Sequence, residues 1–118
     1  MDNVQIENNE GSGIWSSGYP SGQNILNNVT INNNTGTGLE NLNNATISNC
    51  TITNNQDGGI IGSSLNIENT LIENNISVTH NGGGIGYLNG TCTLSNVTIR
   101  NNSCSNYLGG GIYFESNK

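Results

Sequence analysis

Residues 49–60 read NCTITNNQDGGI, and this stretch holds the features that decide the fold. Ile52 lies between two Thr residues, a pair of Asn residues follows, and two Gly residues precede Ile60. Apolar positions with a period of two are typical of a β-strand, whereas a helix repeats every ~3.6 residues. Gly and Asn at the joins favour tight turns. The stretch therefore predicts two short strands connected by a sharp corner.

The same pattern occurs five times along the chain of 118 residues, at intervals of 25, 21, 20 and 27 residues. The central residues are Ile6, Ile31, Ile52, Ile72 and Ile99. A glycine-led apolar position follows each of them, at Ile14, Leu39, Ile60, Ile85 and Ile112. A short alternating piece also precedes four copies, with one column formed by Leu26, Ile47, Ile67 and Leu94. Each repeat thus contains three short strands, which we call A, B and C in chain order, B being the strand of the central Ile.

Tandem repeats of this length predict a solenoid, in which one turn buries little and stacked turns share a continuous core. We expect an all-β fold, a parallel β-helix or β-solenoid with three short strands per turn and about five turns, in a single domain over residues 1–118. The turns are predicted near residues 3–17, 24–42, 45–64, 65–89 and 92–116. Such a core is thin, which explains why only 31% of the residues are hydrophobic.

Asn is the commonest residue, at 26 of 118 positions, and it recurs in columns. One column lies at the corner between strands A and B and contains Asn3, Asn28, Asn49, Asn69 and Asn96. The other is the Asn-Asn pair after strand B, at positions 8/9, 33/34, 54/55, 74/75 and 101/102. Asn tolerates a left-handed backbone, and its amide can bond to the Asn one turn above. The Gly before each strand C predicts a corner with positive φ or a close backbone approach.

These motifs give the chain a family resemblance. GGI at 58–60, GGGI at 82–85 and 109–112, and I-x-x-N in all five B segments resemble the right-handed parallel β-helix repeats of the pectate-lyase-like superfamily. Within it, the chain is most similar to surface and autotransporter-passenger proteins with GG-[apolar] and F-x-x-N motifs, with Ile in place of Phe. The resemblance implies a right-handed β-helix. It implies no particular activity, because such repeats occur in lyases, adhesins and structural fibres.

Composition excludes several classes of partner. The net charge is −6, because the sequence has two Lys or Arg residues in total and eight Asp or Glu residues. We therefore expect no nucleic-acid partner. No apolar run reaches the ~20 residues of a membrane span, so we expect no membrane insertion. No signal peptide is visible at the start of the chain.

The two ends of the chain complement each other across a head-to-tail junction. The sequence enters at strand B and leaves after strand C, and Met1 of a following copy would continue the column of Leu26. We therefore expect an extracellular or cell-surface structural protein that stacks with itself into a filament. The predicted junction residues are Met1, Asp2, Val4 and Ile6 at one end and Ile112, Tyr113 and Phe114 at the other. The alternatives are a segment of a longer adhesin or passenger that binds a host or a glycan, and a monomer with frayed ends.

Enzymatic chemistry is disfavoured. β-Helix hydrolases use clustered Asp residues, whereas Asp2, Asp57, His80 and Arg100 are scattered along this sequence. A carbohydrate-active enzyme is therefore the third choice, and we expect no catalytic residues, no cofactor and no metal. The calcium-loop motifs are missing, and charges interrupt the Thr columns that ice binding would need.

N-linked glycosylation is the chemistry that the sequence favours most. Eight N-x-[ST] sequons are present, and we expect N-linked glycans at those placed in loops or after strand B. The candidate acceptors are Asn33, Asn44, Asn75, Asn89 and Asn101. Among the cysteines, Cys50 is predicted to be a core residue, and two outcomes stay open for Cys92 and Cys104: one disulfide between them, or none.

Overall fold

The computed structural model describes residues 1–17 and 22–115, and all regular elements within these ranges are β-strands. Residue 116, the last of the predicted fifth turn, lies outside the described residues, as do residues 117 and 118. The strands are β1 (Gln5–Glu7), β2 (Ile14–Trp15), β3 (Asn24–Asn27), β4 (Thr30–Asn32), β5 (Leu39–Ser48), β6 (Thr51–Thr53), β7 (Ile60–Glu73), β8 (Ile76–Ser77), β9 (Ile85–Leu88), β10 (Thr93–Arg100), β11 (Ser103–Cys104) and β12 (Ile112–Phe114).

All strand pairs are parallel and follow the sequence repeat. The B strands stack in the order β1, β4, β6, β7 and β10, and the central Ile residues lie in register. The A and C strands stack in the same way, for example with Ile47 opposite Ile67 and Ile60 opposite Ile85. The five B strands enclose about four complete turns, and the fifth turn continues through β12. The predicted all-β parallel solenoid is confirmed.

Strands that the sequence predicts as separate are joined in the middle of the solenoid. β5 contains both strand C and strand A, and β7 contains strands C, A and B. The corners that join these strands are single residues with positive φ, namely Asn44, Ser64 and Asn69 at φ 53°, 52° and 48°. Asn41, at φ 59°, lies instead at a register shift near the start of β5. A one-residue corner turns the chain without interrupting the ladder of backbone hydrogen bonds, so no loop separates the strands.

The core consists of stacked columns of aliphatic side chains. The central turns are completely covered, and Ile31, Ile52 and Ile72 are buried in the B column. The C column buries Leu39, Ile60 and Ile85. Residues of the first and last turns, such as Ile6 and Ile99, are only partly buried and pack against this core from its two ends. The core is therefore continuous along the axis and reaches both end turns.

Both predicted Asn columns lie at corners with a left-handed backbone. The five residues of the A–B corner and the first residue of each pair after strand B have φ between 48° and 61°. Asn tolerates this region better than other non-glycine residues. Their exposed side chains also bond between turns: Asn28 Nδ2 donates to Asn3 Oδ1 at 2.7 Å, and Asn96 Nδ2 donates to Asn69 Oδ1 at 2.7 Å.

The second residue of each pair points inward and forms a continuous chain of amides, which we call the inner Asn ladder. Its members are Asn9, Asn34, Asn55, Asn75 and Asn102. In the first four members, Nδ2 donates to the Oδ1 of the next turn at 3.0 Å. The backbone N–H of the same residue donates to the same oxygen, at 2.9–3.2 Å. From the second turn onwards, Nδ2 also donates to the carbonyl of an Ile in the turn before.

The predicted corner before strand C is a close backbone approach. A Cβ on Gly59 would lie 2.5 Å from the carbonyl oxygen of Gly84, and a Cβ on Gly38 would lie 2.6 Å from that of Gly59. Neither residue has positive φ, so the spacing between turns, and not the backbone dihedral, requires glycine there.

Replacing one amide of the inner ladder should destabilise the solenoid. Asn55→Ala removes the oxygen that accepts from Asn34 and the donor to Asn75 and Ile31. We expect a loss of about 3 kcal/mol in the free energy of unfolding, because buried polar groups lose their partners. The measurement is equilibrium unfolding in urea.

The matched control for that variant is Asn54→Gly, because Asn54 is the exposed member of the same pair and has φ 57°. Gly keeps this conformation, so the change should cost below about 1 kcal/mol. Equal losses for the two variants would contradict a special role of the inner ladder.

Candidate functional site

The polar loops between strands B and C bring together residues that are distant in sequence. Asp57 Oδ1 accepts hydrogen bonds from the backbone N–H groups of Val78 and Thr79 at 3.1 and 3.0 Å. Its Oδ2 accepts from the Thr79 hydroxyl at 2.6 Å and lies 3.4 Å from His80 Nδ1. The expectation that Asp57 and His80 are scattered is wrong for this pair. The network attaches the loop of the fourth turn to the loop of the third.

The pKa of Asp57 reflects these contacts. Burial raises the pKa of the carboxyl group, but hydrogen bonds from Thr79 and Val78 and the nearby His80 imidazole lower it by more. The pKa therefore lies below the ordinary value for Asp, and the group is ionised at neutral pH. The arrangement suits a structural carboxylate that holds a loop.

The three cysteines all lie in the described part of the chain and are free thiols. The Cys92 thiol donates to the carbonyl of Asn89 at 3.5 Å, and the Cys104 thiol donates to the carbonyl of His80 at 3.1 Å. Of the two outcomes left open, the structure therefore has no Cys92–Cys104 disulfide, because the two thiols belong to different corners of the turn. Cys50 is buried in the core column, as expected, and burial raises the pKa of its thiol.

The candidate glycosylation residues differ in accessibility. Asn33, Asn44 and Asn101 are exposed, and Asn89 is partly exposed. Asn75 is 0% exposed, and its Nδ2 donates to Asn102 and to the Ile52 carbonyl. The expectation that Asn75 is an accessible loop residue is wrong, because it is the inward member of an Asn-Asn pair. Its position in the column could have shown this from the sequence.

The last turn of the solenoid has an exposed apolar end face, formed by Leu94, Val97, Ile99, Ile112 and Phe114. We call it the C-terminal end face. Leu94 is 42% exposed and Ile112 is 39% exposed, whereas their neighbours one turn below, Ile67 and Ile85, are fully buried. Phe114 is 60% exposed. Within the described residues, the core columns reach this face without a covering turn, and β12 holds the three predicted junction residues 112–114.

The first turn forms the opposite surface, the N-terminal end face, with Met1, Val4, Ile6 and Ile14. An isolated parallel bridge pairs Asp2 with Asn27, which places Met1 opposite Leu26 as its column predicts. The Met1 amino group donates to the carbonyl of Ile25 at 2.8 Å. The four predicted junction residues of this end therefore lie together on the first turn.

An open recess of about 340 Å³ lies beside this face. Its apolar lining residues are Met1, Ile14, Trp15, Ile25, Leu26 and Leu42. Trp15, one of these lining residues, is 64% exposed. Because Met1 and Ile14 belong to both surfaces, the recess is continuous with the N-terminal end face.

The inner Asn ladder ends differently at the two faces. Asn9 donates to Asn34 through both its backbone N–H and its Nδ2, and its Oδ1 has no partner among the described residues. Asn102 accepts from Asn75 through Oδ1, and its Nδ2 donates one hydrogen bond, to the Ile72 carbonyl. The N-terminal end face therefore offers an acceptor, and the C-terminal end face offers a donor. Sequence reasoning found the column but not this polarity.

The described part of the chain was searched for metal-ligand clusters and for membrane-spanning helices. Across residues 1–17 and 22–115, no three His, Cys, Asp or Glu side chains are grouped as a metal site. No helix in those ranges has the length and the apolar character needed to cross a bilayer.

Comparison with known proteins gave one match. A family model described as a right-handed β-helix region matches residues 1–118. No curated protein and no solved structure matched significantly.

The low pKa of Asp57 predicts a pH dependence of stability. A carboxylate with a lower pKa in the folded state contributes stability that is present above its unfolded pKa, about 3.9, and is lost as the pH falls through the folded pKa. Asp57→Asn should lower the free energy of unfolding by about 1 kcal/mol at pH 7 and flatten the profile below pH ~4. Urea unfolding between pH 2 and 7 measures both effects, with Glu10→Gln as an exposed control. Parallel profiles for Asp57→Asn and wild type would contradict the role of this carboxylate.

Proposed function

The chain belongs to the right-handed β-helix family, and from this premise we propose that it is an extracellular or cell-surface structural protein that stacks head to tail into a filament. The observation that carries the proposal is that the core columns and the inner Asn ladder both reach the two end faces. We include in the proposal that the protein is not an enzyme and that a second copy of the chain is its partner.

The exposed apolar columns support stacking. Within the solenoid, every turn is covered by the next, and the covered residues of the C column, such as Ile60 and Ile85, lose all exposure to solvent. Ile112 occupies the same column in the last turn and has no covering neighbour among the described residues. A further turn with an apolar residue in this position, such as Ile14 of another copy, would bury it in the same way.

The polarity of the inner ladder supports a head-to-tail arrangement. Joining two N-terminal end faces would bring two Asn9 acceptor oxygens together, and joining two C-terminal end faces would bring two Asn102 donors together. Only contact between unlike faces places the Asn102 donor against the Asn9 acceptor. A contact between two different surfaces produces an open filament when its rotation does not close into a ring.

The loops are also compatible with this junction. In the first three turns, strand C starts eight residues after the central Ile of strand B, and in the last two turns it starts thirteen residues after it. The chain already stacks a short connection on a long one where its third turn meets its fourth. A junction between the fifth turn and another first turn would bring the same two lengths together in the opposite order, with the long connection first.

A second candidate is a segment of a longer surface adhesin, in which further turns of one chain cover the two faces. The exposed Trp15 beside the recess favours this alternative, because an aromatic side chain can stack on a sugar ring. Under this alternative, the 118-residue chain would remain monomeric.

N-linked glycans are a further part of the proposal, at the accessible sequons of Asn33, Asn44, Asn89 and Asn101. Mass spectrometry of protein from a glycosylating host should find glycan on at least one of these four. It should find none on Asn75, whose amide nitrogen is buried and donates two hydrogen bonds. Glycan on folded protein at Asn75, or at none of the four, would contradict this part.

Electron microscopy of the purified chain tests the filament directly. Five turns at about 4.8 Å predict an axial rise of about 24 Å per subunit. Leu94→Glu places a charge in a core column of the C-terminal end face and should prevent filaments while circular dichroism stays that of a β-protein.

The matched control is Leu108→Glu, because Leu108 is 65% exposed in the long loop and lies outside the core columns. This variant should assemble like the wild type. Monomers of wild-type protein at all concentrations, or a rise unrelated to five turns, would contradict the filament and favour the adhesin segment.

A further inference from the structure

One outward column of the B strands carries charges of opposite sign in its last two positions. Its members, in register from the first turn to the last, are Glu7, Asn32, Thr53, Glu73 and Arg100. Arg100 Nε donates to Glu73 Oε1 at 2.7 Å, so neighbouring turns in this column are close enough for an ion pair. The sequence contains one Arg and one Lys, and Arg100 lies at the C-terminal end of the column.

Glu7 lies at the other end of the same column. It is exposed in β1, and its neighbour on the solenoid side is the neutral Asn32. If unlike end faces stack in the register that the rest of the chain uses, the position after Arg100 is Glu7 of the next copy. The two residues would then be one strand spacing apart, about 4.8 Å between backbones. This is the spacing that already joins Arg100 to Glu73.

We propose that Arg100 of one copy forms an ion pair with Glu7 of the next copy, and that this pair selects the direction and register of stacking. The inference rests on the head-to-tail assembly proposed above and names a specific contact within it. A guanidinium group has five N–H donors, and Nε serves Glu73, so four donors remain for a second carboxylate. Arg100 would lie between two carboxylates, one from its own chain and one from its neighbour.

The charges also discriminate against the wrong register. A slip of one residue turns every side chain of a strand to the opposite face, and the core columns already forbid it. A slip of two residues keeps the faces correct but places the neutral Gln5, or the amide of Asn9, beside Arg100. Only the correct register places a carboxylate there.

The test reverses the charges without breaking the pair inside the chain. Glu7→Lys places two positive charges at the junction. In the double variant Glu73→Lys/Arg100→Glu, the two positions of the internal ion pair exchange their charges, so an ion pair inside the chain is kept. The junction of this variant then contains two negative charges. Each protein alone should assemble with a critical concentration raised by about tenfold, because an attraction becomes a repulsion. Thermal melting of the dispersed proteins checks that both are folded.

Mixing the two variants is the decisive step. The ammonium group that Glu7→Lys introduces then meets the carboxylate that Arg100→Glu introduces in the double variant. At the alternate junctions, Glu7 of the double variant meets Arg100 of the single variant. An equimolar mixture should assemble at a critical concentration close to that of wild type, as an alternating filament. High salt should reduce the differences, because exposed charges are screened within about 10 Å at 0.1 M.

The matched control is Glu10→Lys, which makes the same change of net charge in the same first turn. The column of Glu10 continues through Thr35 and Gln56 to the neutral Ser103, so no charge faces it across the junction. This variant should assemble like wild type. If wild type forms filaments and Glu7→Lys behaves like Glu10→Lys, or if the mixture does not recover, the ion pair is wrong while head-to-tail assembly stands. If wild type forms no filaments, the assembly itself is wrong.

Discussion

The structure depends on the inner Asn ladder. A buried amide has two donor hydrogens and an oxygen that accepts two bonds, and leaving one of these groups without a partner costs about 1–3 kcal/mol. Asn34, Asn55 and Asn75 satisfy all of them with groups of the turns above and below. Because every member needs another Asn one turn away, the ladder allows only one register between turns. The aliphatic columns then follow in register beside it.

This constraint explains how turns of unequal length form one regular solenoid. The repeat varies from 20 to 27 residues, yet each turn contributes one ladder amide and one residue to each core column. The additional residues of the last two turns lie between strands B and C, where β8 and β11 pair and Asp57 binds the loop of Thr79. Additional residues are therefore tolerated in the solvent-facing loops, and they are excluded from the segments that contribute to the inner Asn ladder.

Periodicity made most of the fold predictable from the sequence. The columns of Ile52 and Ile60 and the left-handed Asn corners depend on spacing alone, and the structure contains them. The sequon at Asn75 wrongly indicates an accessible residue, because the place of Asn75 in the column puts its side chain inside the solenoid. The contact between Asp57 and His80, which the sequence did not reveal, depends on the conformation of two irregular loops. The joining of strands in β7 depends on a non-Asn corner at Ser64, which carries no repeat signal.

The candidate site, like the fold, was only partly predictable from the sequence. The ends of the columns could be counted from the sequence, so the positions of Met1 on the first turn and Ile112 on the last turn were predictable. The direction of the inner ladder could not be derived from the sequence, since an Asn side chain has both a donor and an acceptor. Which of the two groups faces a given end depends on the conformation of the neighbouring residues. That direction makes the two faces unlike, and unlike faces are what a growing filament requires.

Hydrogen exchange of the side-chain amides, measured by NMR on dispersed protein and on assembled protein, shows whether the inner Asn ladder continues between subunits. The amide hydrogens of Asn34, Asn55 and Asn75 should exchange slowly in both states. The Asn102 amide hydrogen that does not bond to the Ile72 carbonyl should exchange rapidly in dispersed protein and slowly after assembly, when Asn9 of the next copy accepts its hydrogen bond. Rapid exchange at Asn55, or an Asn102 amide that stays unprotected in filaments, would contradict a ladder that continues from one subunit to the next.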